Sequence, residues 1–438
     1  MTITRPDDEH VEAPAAPPPL GRNRNYNILW SSQLFSELGF ELAMMIGIPL
    51  LIIAHSGSPL QMGLASSVLA AVKMLAALPA GVVADRWNRR RVMLVCEGLR
   101  ALCMGSLALA LALGHYSFWH VMVVIVLEGV LGSVFEPAEH AAVPQVVPEA
   151  QLPAALARNA ARPFVATLVG PAAAGFLFTV HPLSPFLTTA VMLALSFGAL
   201  IMLRLPPRRA PAPGPASEAG AGPRPGTGGS AENSGGIMVG VRWILGNPVI
   251  RDTMVWMMAV NLVFNALLVI ILVLSGEDDV DPGEMGMMMA FLGAGGLLGA
   301  LCASKLYEAL RPRVLVLGFA VVATGATALM AVVPTGLALG ALLGVAGFLA
   351  PPANTAVMAY QLTVAPDELR GRLSSVAAFC SGGAGALGPL AGGLLMTWGG
   401  EGRTAVLVCA GAFAAVAAVS MLSPSLRRFP SVLEPLDD

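Results

Sequence analysis

The sequence predicts an all-α membrane protein: twelve transmembrane helices in two six-helix pseudo-symmetric bundles. Three observations lead there. Of 438 residues, 56% are hydrophobic and 12% charged, and mean hydropathy is +0.73; a soluble domain carries about 25% charged residues. The apolar residues gather in runs long enough to cross a membrane, which takes about 20 residues each. The runs also repeat. Gly170-Pro171 precedes Gly388-Pro389 by 218 positions, and "PEAQLPAALA" from Pro148 precedes "PDELRGRLSS" from Pro366 by the same 218.

Taken in order, residues 1–25 are polar and proline-rich without a signal peptide's apolar stretch, and read as a disordered tail. The first bundle, 26–205, holds spans 28–53, 61–84, 92–113, 118–138, 156–180 and 183–203. Residues 206–240 follow as a flexible linker, since "PPRRAPAPGPASEAGAGPRPGTGGSAENSGG" cannot bury a core. "GIMVGVRWILGNP" then reads as a short interfacial helix leading into the second bundle, 241–424. Its spans are 249–274, 284–303, 314–333, 336–357, 373–398 and 404–422, and 425–438 form a second tail.

Charge sets the direction. All but three of the 25 lysines and arginines fall at the chain ends, in the linker or in the loops on that same side, a set that includes Arg158 and Arg162. The exceptions are Lys73 and Arg100 inside spans and Arg403 on the other side. The positive-inside rule makes the arginine-rich side cytoplasmic, with both termini there, in a multi-pass protein of the cell's inner membrane. A net charge of −2 suggests no polyanionic partner such as nucleic acid. The five cysteines lie in apolar runs without ligand spacing, so neither disulfides nor a metal site are expected. No GxxxxGK[ST], HExxH or GxSxG constellation is present, so neither an enzyme nor a built-in ATPase is expected, and no cofactor. Duplicated bundles of this kind mark secondary transporters, whose substrate site lies near the midplane between halves.

"GVVADRWNRRR", Gly81 to Arg91, resembles the loop motif between helices 2 and 3 of the major facilitator superfamily, over roughly residues 25–425. The pattern carries over to Gly81, Asp85, Arg86, Arg89 and Arg90. "FEPAEHAAVPQVVPEAQLPAALARNAARP" and "YQLTVAPDELRGRLSSVAAF" are similar to the branch of enterobactin exporters and macrolide efflux proteins. The resemblance implies a cytoplasmic latch between halves at this loop, with Arg86 or Arg89 pairing with Asp85 or reaching the end of helix 11, and Gly81 allowing close helix approach. Anchoring at an anionic inner leaflet alone would account for the arginines, but it does not require Asp85. Two departures stand out. "VIVLEGVLG" has Ile125 and Glu128 where drug/proton antiporters carry Arg and Gln in helix 4. The antiporter Gly-Pro-x-x-Gly-Gly pattern is incomplete in helix 5 (Gly170, Pro171, Gly175) and complete in helix 11 (Gly388, Pro389, Gly392, Gly393). These Gly-Pro steps permit bending, as hinges or static kinks.

Six ionisable residues fall inside spans, all in the first half: Glu37, Glu41, Lys73, Glu97, Arg100 and Glu128. An intramembrane charge is costly and points to function. Gln33, Glu37 and Glu41 share one face of helix 1. Glu37 and Lys73 lie at similar depth, roughly 14 Å and roughly 12 Å from the cytoplasmic edge, and are candidates to pair. The Glu37/Glu41 face is read either as a proton or cation site, Glu41 foremost, or as a structural pair with Lys73. Glu97 and Arg100, at i and i+3, read as a structural charge pair. Glu128, roughly 15 Å deep, is a candidate cavity residue. The second half offers amides instead: Asn261, Asn265 and Asn354 are candidates for substrate or interhelical bonding.

The expectation is a secondary transporter acting by alternating access, functional as a monomer. It exports a hydrophobic or amphipathic small molecule, a drug or a metabolite such as a siderophore, against proton influx. An importer of the same fold and a non-transporting membrane receptor are the alternatives.

Overall fold

In a computed structural model of the chain, the described residues are 19–205, 242, 244–398 and 402–423. The expected tails over 1–18 and 425–438 and the linker at 206–240 lie outside them. Among the described residues there is no strand, and twelve helices are long and apolar enough to cross a membrane.

The helices are α1 (Arg24–His55), α2 (Pro59–Arg86), α3 (Arg89–Ala112), α4 (Phe118–Val146), α5 (Leu152–Val180) and α6 (Ser184–Met202) in the first half. The second half supplies α7 (Pro248–Glu277), α8 (Pro282–Ala309), α9 (Pro312–Met330), α10 (Leu337–Val364), α11 (Asp367–Trp398) and α12 (Gly402–Leu422). Side chains of Asn23, Ser58, Asn88, Asn247 and Asp281 accept backbone N–H groups at helix starts, and Pro59, Pro248 and Pro282 occupy first turns. Both devices satisfy or remove donors that a helix start leaves unpaired. Several helices outrun the apolar runs that predict them, because a helix continues into water once its backbone bonds are made. α4 reaches Val146 through Pro137 and Pro144, so Glu136 and Glu139 belong to the same rod as Glu128.

The halves meet through a crossed pair of short motifs. Pro59-Leu-Gln-Met-Gly63 opens α2, and its repeat, Pro282-Gly-Glu-Met-Gly286, opens α8. The first packs on Pro389 and Gly393 of α11, the second on Pro171 and Gly175 of α5. A Cβ on Gly63 would lie 2.5 Å from the Pro389 oxygen, and one on Gly286 would lie 2.5 Å from the Pro171 oxygen. Only glycine permits such contact, as at other close helix crossings in membranes. The Leu390 N–H donates to Ser67 Oγ at 2.8 Å across the same junction. The Gly-Pro motifs expected to bend helices therefore also seat one half on the other, on the side away from the arginine-rich loops.

α1 changes its winding in mid-membrane. Glu41–Gly47 is π-helical, with Ile48 N–H donating to the carbonyl five residues back, at Ala43. A bulge of this type widens the helix and re-aims its side chains. It faces Gly170, where a Cβ would sit 2.6 Å from that of Glu41. The repeat places Gly388 likewise against Asn265, with a Cβ there 2.8 Å from the Asn265 Cβ. Glu41 and Asn265 thus hold matching positions in the two halves.

Candidate functional site

Two arginines organise the buried polar groups of the first half. Arg100 on α3 donates from Nε to Glu128 Oε2 at 2.5 Å and from Nη1 to Glu97 Oε1 at 3.0 Å and Ser36 Oγ at 2.6 Å. Ser36 in turn donates to Glu97 Oε1 at 2.8 Å. All four residues are buried, so one cation and two carboxylates tie α1, α3 and α4 together. Glu128 lines the first-half cavity, as its depth suggested, with its carboxylate held by Arg100. Its position mid-helix beside α3 brings it to a guanidinium, and α3 supplies the arginine that α4 lacks.

The second node is centred on Arg162 of α5, which is buried. Its Nη2 donates to Glu37 Oε1 at 2.9 Å and its Nη1 to Gln33 Oε1; Glu139 Oε1 lies 3.5 Å from Nη1. Arg162 is thus an intramembrane charge and not a loop residue as its sequence neighbourhood suggests. Glu37 consequently pairs with Arg162 and not with Lys73. Lys73 lies 4.6 Å over the Phe40 ring and lines the same cavity as Glu41. The first half therefore buries more charge than the six residues counted from the apolar runs. Arg162 and Glu139 join them in the interior, and Glu136 lines the cavity beside them.

Of Glu37, Glu41, Glu97 and Glu128, Glu41 is the one that no arginine holds. Oε1 accepts a long bond from Thr167 Oγ1 at 3.4 Å, and Oε2 is buried without a hydrogen-bond partner. Glu37 and Glu41, with Lys73, Glu136, Glu139 and His140, line a cavity of about 550 Å³ within the first half. A larger cavity, about 740 Å³, is bounded mainly by the second half: Trp256, Met257, Phe264 and Phe319 with Asn261, Asn354 and Gln361. Thr167 lines this second cavity while bonding to Glu41, so it stands where the two meet.

The amides of the second half are mostly engaged locally. Asn265 Nδ2 donates to the Asn261 carbonyl at 2.8 Å, and Asn261 Nδ2 to the Met257 carbonyl at 2.9 Å; both bonds stay within α7. The interhelical bonding considered for them is not what their donors do. Asn354 Nδ2 lies 3.9 Å from Met358 Sδ.

The loop after α2 is anchored on the first half. Arg89 Nη1 donates to the Ala141 carbonyl of α4 at 2.6 Å, and Arg90 Nη2 to the Ile201 carbonyl of α6 at 2.5 Å. Both arginines cap helix ends within the first half, where cations suit the negative end of the helix dipole. Among the described residues, neither has a bond to α11. Gly81 touches nothing, since a Cβ there would meet no atom within 4 Å. Arg86 is exposed, and Asp85 sits in the last turn of α2 with its side chain outside the described residues.

Sequence reasoning missed Arg162, Glu139 and Thr167. The available signal was the i, i+3 spacing of Glu136 with Glu139 and of Asn159 with Arg162, which continues a polar helix face past the apolar run.

Comparison with known proteins adds the family. The model of the Major Facilitator Superfamily matches residues 29–278 and 254–435. The multidrug efflux pump Tap of Mycolicibacterium fortuitum is 26% identical over 358 residues, 80% of this chain and 84% of that protein. Tap of Mycobacterium tuberculosis is 27% identical over 397 residues, covering 87% and 90%. Among solved structures, the bacterial homologue of the human lysosomal transporter Spinster, in an inward-facing and unoccupied conformation, aligns with TM-score 0.68 at 16% identity, over 93% of this chain and 98% of that one. The nucleoside transporter NupG aligns with TM-score 0.68 at 13% identity, over 93% and 100%. With twelve membrane-length helices and a family model spanning both halves, the chain belongs to the major facilitator superfamily of membrane transporters.

Proposed function

We propose that this chain is a proton-driven exporter of hydrophobic or amphipathic small molecules. The observation that carries the reading is the adjacency of two unlike cavities. One is lined by five carboxylates with Lys73, Arg100 and Arg162 among them, the other by aromatic rings, methionine and a few amides. An amphipathic molecule with an apolar body suits the second, and a proton or cationic group suits the first. The likeness to pumps named for multidrug efflux supports drugs as cargo and export as direction. A metabolite such as a siderophore is a further cargo of the same character. In this reading Glu41 exchanges the proton, and Arg162 with Glu37 and Glu139 responds to its charge. The test is drug flux in proteoliposomes. Flux of a lipophilic drug is expected to follow an imposed pH gradient and to collapse when a protonophore dissipates it. Flux indifferent to the gradient would remove proton coupling from the reading.

In the proposed orientation the termini and linker face the cytoplasm, so the conformation described here is open inward. In a cysteine-free background, an impermeant thiol reagent added to intact cells is expected to label His115→Cys and spare Ser230→Cys. The opposite pattern would invert the topology. Asp85 is proposed to latch the inner side when the outer side opens. Asp85→Asn is expected to lower flux several-fold while leaving drug binding intact. Lost binding with normal exchange between conformations would reject the latch.

A further inference from the structure

Away from the central cavities, a basic pocket of about 790 Å³ lies at the rim of the first half. It is lined by Arg24 of α1, Arg89, Arg90 and Arg91 of α3, and Arg204 just beyond α6, with Trp87 beside them. Among the described residues, no carboxylate lines it. Arg89 and Arg90 are held by the carbonyls of Ala141 and Ile201. Arg24, Arg91 and Arg204 are exposed, and among the described residues their side chains have no hydrogen-bond or ion-pair partner. Three free guanidinium groups thus stand beside two anchored ones. The N-terminal end of α3, which favours an anion, opens into the same space.

A second feature lies directly below on the same two helices. The outward faces of α3 and α6 form an apolar groove of about 650 Å³, lined by residues including Leu94, Leu99, Leu102, Ala194 and Phe197. Leu99 and Leu102 are exposed on the membrane-facing surface. From Arg91 to Leu102 the groove descends about 16 Å along the helix, a large part of an acyl chain's length. Trp87, 68% exposed, sits at the top, where an aromatic ring marks the boundary between headgroups and hydrocarbon.

We propose that this is a binding site for an anionic phospholipid, with its phosphodiester among Arg24, Arg91 and Arg204 and one acyl chain in the α3/α6 groove. Guanidinium groups recognise phosphate oxygens through paired N–H donors. A zwitterionic headgroup lacks the net charge that the pocket balances. Because the pocket is built from the loop following α2, an occupied site holds that loop on the first half.

The full chain, purified in detergent, is tested by native mass spectrometry with dioleoylphosphatidylglycerol and dioleoylphosphatidylcholine. The expected result is preferential retention of the phosphatidylglycerol. Each arginine contributes about five-fold and the three together about a hundred-fold, so R24Q/R91Q/R204Q is expected to lose that preference. R204Q alone is expected to weaken retention about five-fold, which keeps the test usable if the triple variant does not fold. R311Q, on the loop before α9, is expected to change nothing. Ala194→Leu, which fills the groove, is expected to weaken dioleoyl lipid but not a dihexanoyl phosphatidylglycerol. Equal retention of both headgroups, or unchanged retention in R204Q, would overturn the proposal. Displacement of the lipid by millimolar inorganic phosphate would overturn it in favour of a free-anion site.

Discussion

Arg100→Leu is expected to destabilise the first bundle by about 3–5 kcal/mol, the usual cost of removing one partner from a buried charge cluster. Both carboxylates left behind are sealed: Glu97 is 0% exposed and Glu128 1%. Neither has another cation bonded to it. The measurement is a thermal melt of the detergent-purified protein. The triple variant R100L/E97L/E128L is expected to recover most of the loss, because a buried charged cluster replaced by apolar side chains is often neutral or better. The recovered variant then separates scaffold from mechanism. If it transports like the natural chain, the node only joins α1, α3 and α4. If it is stable but inactive, these charges take part in the cycle. A single variant that melts like the natural chain would show that the node does not hold the bundle.

The fold was readable because a bilayer imposes a length and a composition on every crossing element, and twelve runs meet both. The site was readable only in part. Glu37 and Glu41 stood out as the two carboxylates inside the first apolar run. Arg162 did not, because an arginine near the start of a span is indistinguishable by counting from one in the adjoining loop. Its depth follows from where α5 begins, at Leu152, and from the buried Gln33 and Glu139 and the half-buried Glu37 that surround its guanidinium. Pairing is a second limit. Depth along two helices made Glu37 and Lys73 plausible partners, but depth says nothing about which helices are neighbours, and α5 presents Arg162 to Glu37 first. The repeat gave a better guide than composition to the contact between halves. Gly-Pro steps appeared in it as bends, and their function in packing emerged only with the partner motifs at Pro59 and Pro282.

Glu41→Gln is expected to uncouple transport from the proton gradient while preserving binding of a neutral drug. Three features of its surroundings lead to this result. First, Glu37 is tied to Arg162, and Glu97 and Glu128 to Arg100, whereas Glu41 has only a 3.4 Å bond from Thr167 and an unpartnered Oε2. A carboxylate that must gain and lose a proton in each cycle is best not fixed by a guanidinium. Second, the π-helical turn beginning at Glu41 packs against Gly170, beside the Pro171 contact that joins α5 to α8. A change of charge at Glu41 therefore acts next to a junction between the halves. Third, the matching position in the second half is Asn265, an amide that cannot titrate, so only the first half offers a titratable group there. The deciding measurement is drug flux in proteoliposomes with and without an imposed pH gradient, beside equilibrium drug binding. The natural chain is expected to show gradient-driven flux. Glu41→Gln is expected to retain binding and downhill exchange but to lose the gradient-driven component, by at least ten-fold. Lys73→Ala is expected to shift the pH dependence of flux, since Lys73 places a cation in the same cavity as Glu41. If Glu41→Gln is still driven by the gradient at the natural rate, coupling belongs to the Arg162 node. Glu139→Gln and Glu37→Gln then become the variants in which it must be lost.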